Sequence, residues 1–330
     1  MAHHFESGMF VRKPAWHELG NVLPDWPGTF EQAREAAGLN WDVESSPIYA
    51  LDTDSEGQPV YSRSYQEIEG WQRITRNDNG AILSIQKDSY AVIGNGEFGN
   101  IIDYVMNGHI QGTSNLKFET LISLHGGRQI IATMYLDEPI SLPGDPSETY
   151  PYMVFVSRHD GQGGMKLGPT AVRVVCANTQ AIAERQMDKH GFSFTIRHTN
   201  NWADRIEQAR IAVAANIGAF KNWELMATDF AKYPIFITEV EDFLDKWLPF
   251  STNMTDRQRS NMSDRRLQFI ELYTGPTCEG IAGTKWGLLQ AAIEMVDHYQ
   301  PAHNLDTRIG RTLTRVDPSK ALALNIVSKL

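Results

Sequence analysis

Apolar and polar residues alternate in short runs through the first half of the chain, and apolar residues recur at steps of three and four through the second. WDVESSPIYAL, PVYSRSY and AILSIQKDSYAVI are rich in Val, Ile and Tyr and predict β-strands, broken at SEG and NDNG by tight turns. Two further strands, LKFETLISLHG and RQIIATMYL, are expected to join around Gly126-Gly127. DEPISLPGDPSETYP, rich in Pro and Gly, reads as a surface loop that leads into the apolar strand YMVFVSRHDG. A last strand, TAVRVVCAN, runs into a helix, TQAIAERQMDK. Two helices interrupt this pattern earlier. Thr29 followed by Gln32 makes a capping box before EQAREAAG, with Gly38 suited to the helix end, and a short helix is expected from Asn100 to Met106.

From Asn201 to Tyr233 apolar residues fall at Trp202, Ile206, Ala209, Val213, Ile217 and Phe220, the spacing of one long amphipathic helix. Further helices are predicted over Thr238 to Trp247, Asp256 to Leu272 and Thr284 to Tyr299, and the tail from Pro318 to Leu330 is helical in pattern. Strands first and helices later predict an α+β fold: an antiparallel β-sheet in the first half, several helices packed against it, and a mostly helical C-terminal half. The change of character divides a β-rich region, residues 1–200, from a helical region, residues 201–330, expected to pack together as one compact unit.

Composition narrows the class. With 330 residues, 42% of them hydrophobic, the chain can bury a large core. No apolar run approaches the roughly 18 to 20 residues that cross a bilayer. MAHHFESGMF lacks the basic and apolar regions of a secretory signal, so a soluble protein of the cytoplasm is expected. Cys176 and Cys278 form no CxxC pair and are expected to be buried free thiols, so neither a disulfide scaffold nor a cysteine zinc site is expected.

Charge is uneven. Residues 1–150 carry 21 acids and nine bases, a net of −12, whereas residues 151–210 carry eight bases and five acids, a net of +3. A phosphate-binding surface would therefore lie in the middle segment. Arg158, His159, Lys166, Arg173, Arg185, Lys189, Arg197 and His198 gather there, and Gly161, Gly163 and Gly164 make the hairpin before Lys166 able to approach a backbone closely. Arg158, Lys166, Arg173, Arg185, Arg197 and His198 are the expected contacts to single-stranded nucleic acid, with bases stacking on Phe192, Phe194 or Trp202. Those aromatics could equally belong to the core. Arg257, Arg259, Arg265 and Arg266 form a second cluster, interleaved with Ser, Asn and Asp as a solvated loop would be.

Other chemistry finds little support. Gly94 to Gly99 matches GxGxxG between a strand and a helix, but the hairpins around it are not the βαβ units a dinucleotide site needs. His159-Asp160 stands where a catalytic dyad could sit, or where the Asp simply bonds its own turn. No metal-ligand spacing and no nucleophile motif occurs, so no cofactor, metal or catalytic residue is assigned, although acids distant in sequence could still converge.

Several segments, in order along the chain, resemble the phage/plasmid-like protein family built on the domain of unknown function 932. They are PAWHELG (Pro14 to Gly20), AGLNWDVESSPIY (Ala37 to Tyr49), PTAVRVVCANTQ (Pro169 to Gln180), IRHTNN (Ile196 to Asn201) and GTKWGLLQAAIEMVDHY (Gly283 to Tyr299). Ala15 and Glu18 depart from the first of these motifs. The resemblance implies mobile genetic elements, a bacterial host cytoplasm and neighbouring genes of DNA metabolism. Within RVVCANT, alternation sets Val174 and Cys176 on one side of a strand and Arg173 and Val175 on the other, and Asn178-Thr179 is placed to cap the next helix. Two functions from different classes remain open. One is a single-stranded DNA binding or annealing factor, possible as a homo-oligomer. The other is a module that binds a host protein through its acidic first half.

Overall fold

A computed structural model describes residues 5–11, 20–51, 56–58, 65–107, 117–136, 139–173, 194–300 and 317–330, and of residues 170–173 and 214–221 the backbone alone. The strand-rich part of the chain builds two sheets. The larger has seven strands: β1 (Phe5–Val11), β2 (Asn21–Leu23), β6 (Phe118–Leu124), β7 (Gln129–Tyr135), β8 (Thr149–Arg158), β9 (Met165–Arg173) and β10 (Phe194–Ile196), in the order β10-β9-β8-β7-β6-β1-β2. All pairs are antiparallel except β1 with β2. β6 and β7 join through the expected turn, where His125, Gly126 and Gly127 all have positive φ. The smaller sheet pairs β3 (Val43–Ala50), β4 (Gln66–Arg76) and β5 (Ile82–Lys87) in that order. Pro47 cannot donate to a ladder, which suits β3 to an edge.

The fold is thus mixed, with a mostly antiparallel large sheet and strands mainly in the first half. Several boundaries differ from the sequence reading. β1, β2, β4 and β10 were not expected as strands. The expected strand PVYSRSY lies, but for Tyr65, outside the described residues. β5 stops at Lys87, and β9 starts at Met165, five residues ahead of TAVRVVCAN. Val174 to Thr179 and the helix expected over TQAIAERQMDK lie outside the described residues.

One face of the large sheet carries Phe118, Ile130, Ala132, Met153, Phe155, Met165 and Leu167, all buried. Helix α1 (Phe30–Ala36) starts at the expected cap, with Gln32 N–H donating to Thr29 Oγ1 at 3.2 Å, while the Gln32 side chain accepts from Gly28 rather than from Thr29 itself. It ends in the left-handed turn at Gly38, φ +69°, with Gly38 and Leu39 N–H returning to the carbonyls of Glu35 and Arg34. Phe30 then meets the edges of Phe98 and Phe118 at 5.8 and 5.9 Å, which seats α1 between the sheet and α2 (Asn95–Asn107).

The amphipathic run after Asn201 becomes a short 3-10 turn and α3 (Ile206–Lys232), 27 residues that continue through Gly218. Its first half buries Ala209 and Val213 in the sheet core, and its second half buries Trp223, Ala227 and Phe230 in a separate helical core. That core is completed by α4 (Ile237–Trp247), α5 (Asp256–Tyr273), α6 (Lys285–Glu294, continued by a π-helical turn Met295–Tyr299) and α7 (Pro318–Val327). Every residue of α6 is buried, as expected of a helix apolar nearly all round. Phe243, Trp247, Phe269 and Tyr273 stack in series beside it. Cys278 is a buried free thiol as expected, and Cys176 lies outside the described residues.

Three polar contacts inside this core correct or extend the sequence reading. The Pro- and Gly-rich connection before β8 is not wholly on the surface, because Leu142 packs among the helices and Asp145 accepts a 2.9 Å bond from Trp286 Nε1. The second arginine cluster lies on α5, not in a loop. Arg266 donates to the carbonyls of Leu244 and Leu248 at the end of α4, at 3.2 and 2.7 Å, and so caps that helix. Lys320 of α7 pairs with Asp297, both fully enclosed. No helix among the described residues is long and apolar enough to cross a membrane.

Candidate nucleic-acid interface

The expected basic hairpin is the turn between β8 and β9, and its own hydrogen bonds account for much of its charge. Arg158 ends β8 and clamps Asp160 with two bonds, Nε to Oδ1 at 3.0 Å and Nη2 to Oδ2 at 2.5 Å. Gln162 N–H adds a third bond to the same carboxylate at 3.0 Å. Burial pushes the Asp160 carboxyl up, but the Arg158 guanidinium and the Gln162 amide outweigh it and hold the group below its ordinary range. Gly161, φ +73°, lies so close to Gln86 of β5 that a Cβ would fall 2.1 Å from its Nε2. At Gly164 a Cβ would fall 2.2 Å from the carbonyl oxygen of Ile196, so the turn is pressed against the start of the next segment. The hairpin does approach a backbone closely, as its glycines suggested, but the backbone is the chain's own.

The two histidines point inward. His159 is fully buried, with Nε2 at 3.2 Å from Asn95 Oδ1, and burial, then repulsion from His198, pushes its pKa down to about 3. Asp160 is engaged by Arg158 and Gln162, so His159 and Asp160 form no hydrogen-bonded dyad. The turn interaction is the one realised. His198 is buried too, its ring stacked on Tyr90 at 4.5 Å and its Nδ1 at 3.0 Å from the Ala91 carbonyl. Burial lowers its pKa, against the opposing pull of the Ala91 carbonyl. Both rings are neutral joints between the sheet and the loop that leads into α2.

The glycine motif has an equally internal explanation. α2 begins at Asn95, five residues before the expected start, because Asp42 caps it. The Asp42 carboxylate accepts from Asn95 N–H at 2.6 Å and Gly96 N–H at 3.1 Å, and Glu97 Oε2 accepts from Gly94 N–H at 3.0 Å. A helix N-terminus attracts an anion, and here the chain supplies its own. A Cβ at Gly94 would meet Asp42 at 2.4 Å, and one at Gly99 would meet the Phe30 ring at 2.1 Å. The glycines therefore admit a carboxylate and a phenyl ring.

What remains on the surface is smaller and sharper than the sequence reading. Lys166 and Arg197 are exposed, and neither has an ion-pair partner among the described residues. Lys166 sits opposite Thr195 in the β9–β10 ladder, and Gly164 lies against Arg197 Cα, so the two cations flank the last rung of the sheet. Arg173 closes β9 opposite Thr149. Arg185, Lys189 and Phe192 lie outside the described residues. Phe194 is half-buried beneath Arg205 at 5.3 Å, and Trp202 is half-buried against the sheet core, so both serve mainly to close the core.

A second surface went unread in the sequence because β4 did. WQRITR shows no alternation of apolar and polar residues, since Trp71 and Ile74 lie three apart and so on opposite faces, and the strand leaves no period-two signal. Trp71 pairs with Lys87, and Arg73 pairs with both Ile85 and Ser46, which sets these side chains on one face of the small sheet. Trp71 and Ile85 remain 44% and 55% exposed. The reverse face is fastened down: Ile74 is buried, Gln72 donates to the carbonyls of Lys87 and Tyr90, and Arg128 donates to that of Leu83. At its far end Arg76 pairs with Glu6 of β1 and lies 4.0 Å over Trp41.

Among the described residues no group of three His, Cys, Asp or Glu side chains converges to hold a metal ion. Compared with known families, residues 82–321 match the model described as a domain of unknown function, DUF932. Comparison with curated proteins and with solved structures finds no match.

Proposed function

The chain belongs to the family of that domain of unknown function, and from this premise we propose that it handles nucleic acid in a bacterial cytoplasm, as a single-stranded DNA binding or annealing factor of phage or plasmid origin. The observation that carries the reading is the pair of exposed cations, Lys166 and Arg197, beside the last rung of the large sheet. Arg173 and Arg185 extend the proposed contact along the same segment. Arg158 does not, since its guanidinium is occupied by Asp160. Nor does His198, which is buried and stacked. Annealing brings two strands together, which a homo-oligomer would do most simply.

Electrophoretic mobility with labelled single strands tests this. Binding at ~50 mM salt is expected, because phosphate contacts release counterions. Lys166→Ala with Arg197→Ala should flatten the log–log salt slope by about 1.4, roughly 0.7 per lost single-strand phosphate contact. Arg158→Ala should leave the slope alone. Absence of any shift at low salt would reject the reading, and an unchanged slope in the double variant would remove those two residues from the contact.

A second reading is favoured by a separate observation: the exposed apolar side chains of the small sheet and the net −12 of residues 1–150 suit a host protein as partner. Partners retained from host lysate after nuclease treatment, together with no single-strand binding, would favour it.

A further inference from the structure

We infer that the outward face of the small sheet is a base-stacking platform for single-stranded nucleic acid, fastened through the β8–β9 turn to the part of the molecule that carries the basic edge; this rests on the nucleic-acid reading above. Trp71 and Ile85 present aromatic and aliphatic surface to solvent, and Arg73 and Lys87 stand directly across the ladder from them. Among the described residues neither cation has an ion-pair partner. Arg73 Nε is steadied by Ser46 Oγ at 2.8 Å, which holds the guanidinium over the sheet. Trp71 and Ile85 alternate with charge across the ladder, the arrangement that serves unpaired bases and their phosphates.

Contacts on the opposite side of β5 hold the two surfaces in one rigid frame. Ser84 donates to the His159 carbonyl at 2.7 Å and Gln86 lies against Gly161, so the strand that carries Ile85 and Lys87 is bolted to the turn behind which Lys166 and Arg197 stand. Glu67 and Glu69, both exposed, occupy the other end of β4 and close the track to a polyanion there. The occupant is a single strand and not a duplex, because an indole stacks on the face of a base, and a duplex buries those faces against neighbouring base pairs. It is not a wholly apolar protein segment, because Trp71 and Ile85 each face a cation across the ladder.

The test uses the full chain and a labelled homothymidine oligonucleotide, with affinity read by anisotropy and contact by quenching of intrinsic tryptophan fluorescence. Trp71→Ala is expected to weaken binding about tenfold and to abolish most of the quench, whereas Trp71→Phe retains most of the affinity. Arg73→Ala and Lys87→Ala should weaken binding and flatten the salt slope, and duplex of the same sequence should compete poorly. Trp71 is a surface residue, so an unchanged circular-dichroism spectrum separates these losses from unfolding. If Trp71→Ala binds as the natural chain does while Lys166→Ala with Arg197→Ala does not, the platform is wrong and the basic edge stands. If Trp71→Ala changes only the particle size of the free protein, the face joins copies of the chain and the inference fails. If the natural chain binds no single strand, the underlying reading falls with it.

Discussion

Replacing Asp42 by Ala removes the internal anion from the head of α2, and the structure allows the cost to be worked out. The carboxylate accepts two backbone N–H bonds, at 2.6 and 3.1 Å, from donors that the helix itself leaves unpaired. Losing an acidic cap costs about 0.5–2 kcal/mol, and charged acceptors lie toward the upper end. Asp42 is one-third exposed, so water replaces part of the interaction. About 1.5 kcal/mol is the resulting expectation. For 330 residues the unfolding entropy is near 0.7 kcal/mol/K, which converts this to a fall in Tm of about 2 °C. Asp42→Asn keeps an acceptor and loses the charge, so about half the effect should remain. The variant also tests why the glycine motif binds no nucleotide in this reading. With Asp42 gone the helix terminus is open, and inorganic phosphate at about 10 mM should stabilise Asp42→Ala while leaving the natural chain unmoved. Thermal unfolding followed by tryptophan fluorescence measures both arms. A variant within about 0.5 kcal/mol of the natural chain, or a natural chain that phosphate stabilises equally, would refute the capping argument.

Two further outcomes follow from buried charge. Asp297→Ala should destabilise by about 3–5 kcal/mol, because it strands Lys320 without its partner, whereas Asp297→Leu combined with Lys320→Met should recover most of the loss in chemical denaturation. If the double variant is no better than the single, the pair is not isolated in the way described. His159 gives a pH dependence: its folded pKa lies near 3 and its unfolded value near 6.5, so the unfolded chain binds the extra proton between them. Stability should therefore fall as pH drops from about 6.5 toward 3, and His159→Gln should flatten that slope relative to the natural chain in urea melts taken across the interval.

The sequence disclosed most where a signal was local. The cap at Thr29 and the left-handed turn at Gly38 both involve residues within a few positions of one another, and so do the steps of three and four along α3. It disclosed least where the partner was distant. α2 starts early because of a carboxylate 53 residues upstream, and nothing in GNGEFGN points to it. β1 hides behind Gly8, which is needed because Ile122 of the neighbouring strand would lie 2.6 Å from a Cβ there, yet a glycine in a short run reads as a turn. β4 hides because its first six residues, Gln66 to Trp71, are exposed on both faces and its last three, Ile74 to Arg76, are all buried, so no alternation appears along it. The candidate contacts suffered in the same way. Arg158, His159 and His198 look like cations in a row of letters. Only the packing shows that one is neutralised by Asp160 and that the other two have been dried into neutrality.

The long helix α3 has a mechanical consequence. At about 1.5 Å per residue its 27 residues span some 40 Å, and its two ends are embedded in different cores. It is a keel shared by two hulls. Helical hydrogen bonding propagates cooperatively, so fraying at Ala209 and Val213 withdraws support from Trp223 and Phe230 as well. A load applied at the sheet, such as a strand drawn across Lys166 and Arg197, is thereby carried into the helical bundle by a single stiff member, with no hinge required between them.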